Sequence, residues 1–279
     1  MKFGSAVLKM GALAVALSQL VGCQTIVQKP EVNEVKRVAI VSLYANDKVA
    51  RADGRGLVKD WPNDMKIQIA DEALRIFSRE FQSIGWEVVN PDAVIQSEAY
   101  QSAFKVEGVK PDSTLGMLAN MAQDAYARSF FTPAGMLPIV LNDKEVRTTH
   151  MGNVASERDV KAKLANMAKT LKVDAVALVQ LDYCYKGGTW SLGGTGAAVM
   201  TAKSSIKAVN QKGDVVVKMQ DLRECDEEDR SVSTSTTGMI EGNLIFPKSF
   251  TKGGLRDMFI EATGASAKVS MENLQKALK

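Results

Sequence analysis

From residue 37 onward the chain opens with a continuous apolar run, Val38-Ala39-Ile40-Val41-Ser42-Leu43, rich in β-branched residues. That is the pattern of a strand buried on both faces. Residues 44–63 are polar, carry Gly54, Gly56 and Pro62, and are expected to form a loop. Met65, Ile69, Ala73, Phe77 and Phe81 then recur every fourth position, with Ala70, Leu74 and Ile84 beside them. This spacing gives a helix one apolar face, and Gly85 is its expected stop. Trp86-Glu87-Val88-Val89 alternates as a short strand does and ends on Asn90-Pro91. Strand, helix and strand in that order predict a parallel pair joined by a helical crossover.

Residues 91–155 interrupt the pattern and are expected to form an insertion packed on the core. Within them Leu115, Leu118, Ala119, Ala122 and Tyr126 predict a helix over 112–127, whereas Pro133 and Pro138 exclude a regular helix over 130–141. Ser156 with Asp159 three residues on reads as an N-cap, followed by a helix whose inner face is Val160, Leu164, Met167, Ala168 and Leu171. Residues 175–181 predict a second buried strand that runs on through Asp182-Tyr183-Cys184. Residues 201–209 and 214–221 flank Gln211-Lys212-Gly213 as a hairpin. Residues 224–237 are expected to be exposed. Residues 254–278 predict a final helix with Leu255, Met258, Phe259 and Ala262 inward and a weak point at Gly264. The fold class is α/β (α+β-like): a mixed sheet with a βαβ start, an insertion, a β-meander and a last helix.

The N-terminus follows a different rule. Lys2 and Lys9 precede an apolar stretch over 10–21, too short to span a hydrocarbon core of about 30 Å. It reads as the h-region of an export signal and closes on Leu20-Val21-Gly22-Cys23. That closure resembles the lipobox of bacterial lipoproteins. The resemblance implies cleavage after Gly22, a diacylglycerol thioether on Cys23 and acylation of the new amine, palmitate being such a chain. Gln24, where an aspartate would retain the protein on the inner membrane, implies the outer membrane. The other reading of these residues is an ordinary secretory signal or an uncleaved anchor. Residues 23–36 are polar, include Pro30, and are expected to be a lipidated tether. The organisation expected is therefore signal 1–22, tether 23–36 and one periplasmic domain 37–279.

Charge and cysteine content narrow the partners. The chain holds 35 Lys and Arg against 32 Asp and Glu, and the signal takes two of the cations, Lys2 and Lys9. A mature chain so near neutral lacks the basic footprint of a nucleic-acid binder. With Cys23 acylated, Cys184 and Cys225 remain, and an oxidising compartment invites a disulfide between them. Both fall at one end of the predicted meander, and a bridge closing a loop of about 40 residues stabilises by roughly 3–4 kcal/mol. The alternative is two unpaired thiols. No histidine lies near either, so neither reads as a nucleophile.

The order β-α-β, insertion, α-β-β-β-α resembles the domain shared by the curli-secretion lipoprotein, the lipoprotein activators of penicillin-binding proteins and the N-terminal domain of the Tol-system translocation protein. The residues carrying the resemblance are the 38–43 strand, the Phe77/Phe81 helix into 86–89, and Lys172-Val173-Asp174-Ala175-Val176 before the third strand. It covers most of 37–279. It implies binding to partner proteins or assembly into envelope machines rather than catalysis.

Chemistry-bearing residues are sparse. His150 is the one histidine, which excludes multi-histidine metal sites, and no Gly-x-Ser-x-Gly motif accompanies it. Gly187-Gly188 and Gly193-Gly194-Thr195-Gly196 lack the Lys-Ser/Thr of a phosphate loop and lead into a strand, so they read as a hairpin connection. Trp190 and Leu192 within it either insert into a partner or membrane or fold back on the core, the last being favoured. Asp221, Glu224, Asp226, Glu227, Glu228 and Asp229 surround Cys225 without the spacing of a calcium loop and read as a solvated turn. Residues 231–237 are too polar and short for a membrane hairpin.

No catalytic, metal or cofactor-binding residue is assigned. The expected function is that of an outer-membrane-anchored periplasmic lipoprotein, a non-catalytic protein-binding or assembly factor of the envelope. One alternative is a subunit of an oligomeric secretion channel, with 187–199 and 224–250 forming membrane hairpins. The other is a hydrolase using two carboxylates about 5–9 Å apart.

Overall fold

The computed structural model describes residues 23–47, 49–51, 57–58, 63–103, 130–141, 146–148, 154–155, 157–187, 195–221, 235–243, 246–250 and 254–279. The first half of the chain contributes β1 (Cys23–Val27), α1 (Lys29–Asn33), β2 (Arg37–Asn46), β3 (Val49–Arg51), β4 (Leu57–Val58), α2 (Asn63–Ser83), β5 (Glu87–Val88), α3 (Pro91–Gln96), α4 (Glu98–Ala103), β6 (Phe130–Phe131) and β7 (Ile139–Leu141). The second contributes β8 (Val146–Thr148), β9 (Val154–Ala155), α5 (Glu157–Thr170), β10 (Ala175–Gly187), β11 (Thr195–Asn210), β12 (Val215–Asp221), β13 (Ser235–Asn243), β14 (Phe246–Phe250) and α6 (Gly254–Leu278).

The main sheet runs β1-β12-β11-β10-β2-β5. Strand β2 is parallel to both β10 and β5, and the other neighbours in this path are antiparallel. It is a mixed sheet in an α/β fold, as the hydrophobic pattern predicts. Residues 38–45 of β2 are all buried, which its continuous apolar run requires. Two helical crossovers leave β2 in opposite directions, α2 leading to β5 and α5 leading to β10. Right-handed connections therefore put these helices on opposite faces of the sheet.

Each crossover helix ends in the same way. After α2, Trp86 N–H bonds Phe81 O and Gly85 N–H bonds Gln82 O, with Gly85 at φ 93°. After α5, Val173 N–H bonds Ala168 O and Lys172 N–H bonds Lys169 O, with Lys172 at φ 54°. Both are Schellman caps, which need one left-handed residue. Glycine supplies it freely in the first, whereas lysine holds it in the second against its Cβ.

Helix α6 covers part of the sheet with small and hydroxylated side chains. Met258, Phe259 and Ala262 are buried, as expected. The helix runs unbroken through Gly264 to Leu278, so the weak point expected there is not a break. Thr263 Oγ1 lies 2.6 Å from the Tyr183 hydroxyl and donates to Phe259 O. Ser266 Oγ donates to Ser204 Oγ at 3.0 Å, and Ser204 pairs with Ser270 at 2.7 Å. The buried hydroxyls thus satisfy one another.

Three expectations are corrected. Residues 23–36 do not form a free tether: β1 pairs with β12 from Cys23 onward, and Val32 and Val35 are buried against the core. The edge of β12 supplies hydrogen bonds that local pattern cannot reveal. Residues 44–63 are not wholly a loop, because β2 extends to Asn46, β3 pairs in parallel with β10, and β4 pairs with β3. Residues 235–237, placed in an exposed tract, belong to β13 and pair with β11. The insertion does pack on the core, burying Phe131, Met136 and Ile139. It also adds β6 to the main sheet beside β2 and forms the small β7-β8-β9 sheet. The helix expected over 112–127 and the Ser156 cap lie outside the described residues.

Candidate functional site

The carboxyl ends of β2 and β10 meet where the two crossovers diverge, the position at which open α/β sheets form a ligand crevice. Their side chains there are polar in otherwise apolar strands. Tyr44 hydroxyl donates to Gln180 Oε1 at 2.9 Å, and Gln180 Nε2 donates to Asp182 Oδ2 at 3.2 Å. Asn46 Nδ2 donates to the other oxygen of the same carboxylate, Asp182 Oδ1. Beside them the Lys66 ammonium on α2 is 2.5 Å from Asp47 Oδ1.

A β-bulge produces this row. Ala177 pairs with Ile40, but Leu178 pairs with Ser42, so β2 carries one extra residue. Without it Gln180 would share its row with Leu43 rather than Tyr44. The bulge re-aims the following residues. It also turns Ser42 towards the insertion, where its buried hydroxyl donates to Leu137 O and accepts from Ile139 N–H.

Chemically the row is a chain of a phenol, two amides and one carboxylate, without an imidazole or thiol. Such a set can donate and accept hydrogen bonds to a polar partner. The two buried tyrosines nearby hold their protons tightly. Burial pushes the Tyr100 phenol up to about 12, against the Leu137 amide that donates to its oxygen. Burial likewise pushes the Tyr183 phenol up, opposed by its bond to Thr263. Both are neutral struts.

Of the residues singled out by sequence, Cys23 is the first residue of β1. Cys184 lies in β10, is 5% exposed, and is disulfide-bonded. Its partner sulfur is outside the described side chains, as is Cys225, so the Cys184–Cys225 pairing stands as a proposal. β12 ends at Asp221, four residues before Cys225, and points towards the same end of the sheet as Cys184. Gly187 closes the ladder of β10 with β11, opposite Ala198, and Gly196 lies within β11. His150, Trp190, Leu192 and the acidic residues 224–229 lie outside the described residues. Among the described residues no group of three or more His, Cys, Asp or Glu could hold a metal ion. Nor is any described helix long and apolar enough to cross a membrane.

The Tyr44–Gln180–Asp182–Asn46 row was not anticipated from sequence. Its one local signal is Gln180 and Asp182 inside the apolar run of β10. No protein-family model matches the chain, and no curated protein matches it.

Proposed function

We propose that this chain is a lipoprotein acylated on Cys23, anchored in the outer membrane and facing the periplasm, where it binds or assembles envelope proteins without catalysing a reaction. The observation that supports it is the position of Cys23: the residue that the lipobox pattern marks as the mature N-terminus lies in the edge strand β1, its backbone paired with Asp221 of β12. The satisfied row at the carboxyl ends of β2 and β10 suits recognition. Its one carboxylate, Asp182, accepts from two amides, and the neighbouring Asp47 is paired with Lys66, which argues against the hydrolase alternative.

Metabolic labelling with an alkyne palmitate tests the anchor: the wild type should label and Cys23→Ala should not. Label that persists in Cys23→Ala would sink the reading. Crosslinking of whole envelopes tests the binding role, and recovery of no specific partner counts against it. The channel alternative draws on one feature, the β11–β13–β14 pairing within 195–201 and 235–250. A strictly monomeric acylated protein in detergent would exclude it.

A further inference from the structure

The geometry points to a lipid-facing surface: the strands beyond the level of Cys23, at the carboxyl end of the sheet, rest on the bilayer. This rests on the lipoprotein reading and adds an orientation to it. Cys23 pairs with Asp221, two residues past the Met219–Ile206 pair. Two residues on from Ile206 along β11 is Ser204, which pairs with Leu181, itself paired with Ala45. Cys23 therefore shares a row with the carboxyl ends of the parallel strands.

β10 and β11 do not stop at that row. Their ladder continues from Leu181–Ser204 to Gly187–Ala198, a projection of roughly 20 Å at about 3.3 Å per residue. β13 flanks β11 there, with β14 outside it, and β3 flanks β10 at Cys184 and Tyr185. β1 has no slack, because it is hydrogen-bonded from its first residue and followed by α1, whose Val32 is buried. Acyl chains on Cys23 must enter the hydrocarbon within the reach of one side chain and its glycerol. The bilayer surface then passes close to the row of Cys23, and the projecting strands tilt onto the headgroups. Beyond that row β3, β10, β11, β13 and β14 carry Arg51, Lys186, Lys203 and Lys248 against Asp182 and Glu241, a balance suited to anionic lipid. The β11–β12 turn at Gly213 lies at the opposite end and faces away.

The test uses the full acylated protein in vesicles of phosphatidylethanolamine and phosphatidylglycerol, with a photo-crosslinking residue at Ala198, at Gly187 or at Lys212. Lipid adducts should form at Ala198 and Gly187 at least several-fold more than at Lys212. A Gly/Ser linker of about 20 residues inserted between Cys23 and Gln24 should reduce those adducts several-fold with acylation intact. Equal adducts at all three positions, or none at Ala198 and Gly187 in protein whose acyl chains are present by mass spectrometry, would overturn the orientation alone. Protein without acyl chains on Cys23 would overturn the lipoprotein reading, and this proposal with it.

Discussion

The two ends of the parallel strands are built on opposite principles. At the amino end, side chains serve the backbone. Asp174 Oδ2 accepts from the amides of Lys36 and Arg37, both at 2.8 Å, and Asp174 N–H returns a bond to Arg37 O. Glu87 N–H bonds Lys36 O, and the two Schellman caps close the helices that lead into β5 and β10. At the carboxyl end, side chains bond one another: Tyr44 with Gln180, and both Gln180 and Asn46 with Asp182. Backbone groups must find partners for the chain to fold, whereas a row of side chains can exchange one partner for another. The amino end is therefore tied to the folding of the strands, and the bonds at the carboxyl end are the more exchangeable.

That contrast predicts an ordered set of effects. The largest belongs to the proposed Cys184–Cys225 bridge: Cys225→Ser should lower stability by about 3–4 kcal/mol in denaturant titration and free the Cys184 thiol. A Cys184 thiol that stays unreactive in Cys225→Ser would rule out this pairing. Next, Asp174→Ala leaves two backbone donors without their charged acceptor and should cost about 3 kcal/mol. A loss below about 0.5 kcal/mol would erase the distinction between the ends.

Alkaline pH acts on the covering layer. Tyr100 is neutral in both states below pH 10; between about 10 and 12 the unfolded phenol ionises while the folded one stays protonated. Stability is unaffected below pH 10 and falls as pH rises through this window, by about 2–3 kcal/mol from Tyr100. Denaturation midpoints across pH 9–12 should show the slope, and Tyr100→Phe should flatten part of it, Tyr183 contributing the rest in the same direction. Smaller still, Tyr44→Phe removes one bond of the carboxyl-end row and should cost about 1 kcal/mol or less. Finally, Lys172→Gly should stabilise by up to about 1 kcal/mol, because glycine takes the left-handed cap position without a Cβ penalty. Gly85→Ala at the equivalent cap should do the reverse, and matching signs for the two would contradict the cap assignment.

Much of the architecture is legible in sequence for identifiable reasons. The 38–43 run, the fourfold spacing from Met65 to Phe81 and the Val160–Ala168 face each describe how one segment buries itself, and each is found where expected. The candidate site is a different matter. Tyr44 and Gln180 lie 136 residues apart, and only the bulge in β2 sets them in one row.

Local pattern is enough to define the elements whose burial repeats with a short period: β2, α2, α5, the first part of β10 and the turn at Gly213, together with the lipobox pattern ending at Cys23. Tertiary structure alone decided that residues 23–27 are an edge strand, that β3 and β13 extend the sheet, and that Asp174 caps a strand start 137 residues earlier. Periodicity records which face of a segment leaves water. Strand edges, bulges and hydrogen-bonded rows depend on what the rest of the chain brings alongside, and that is settled when the sheet closes.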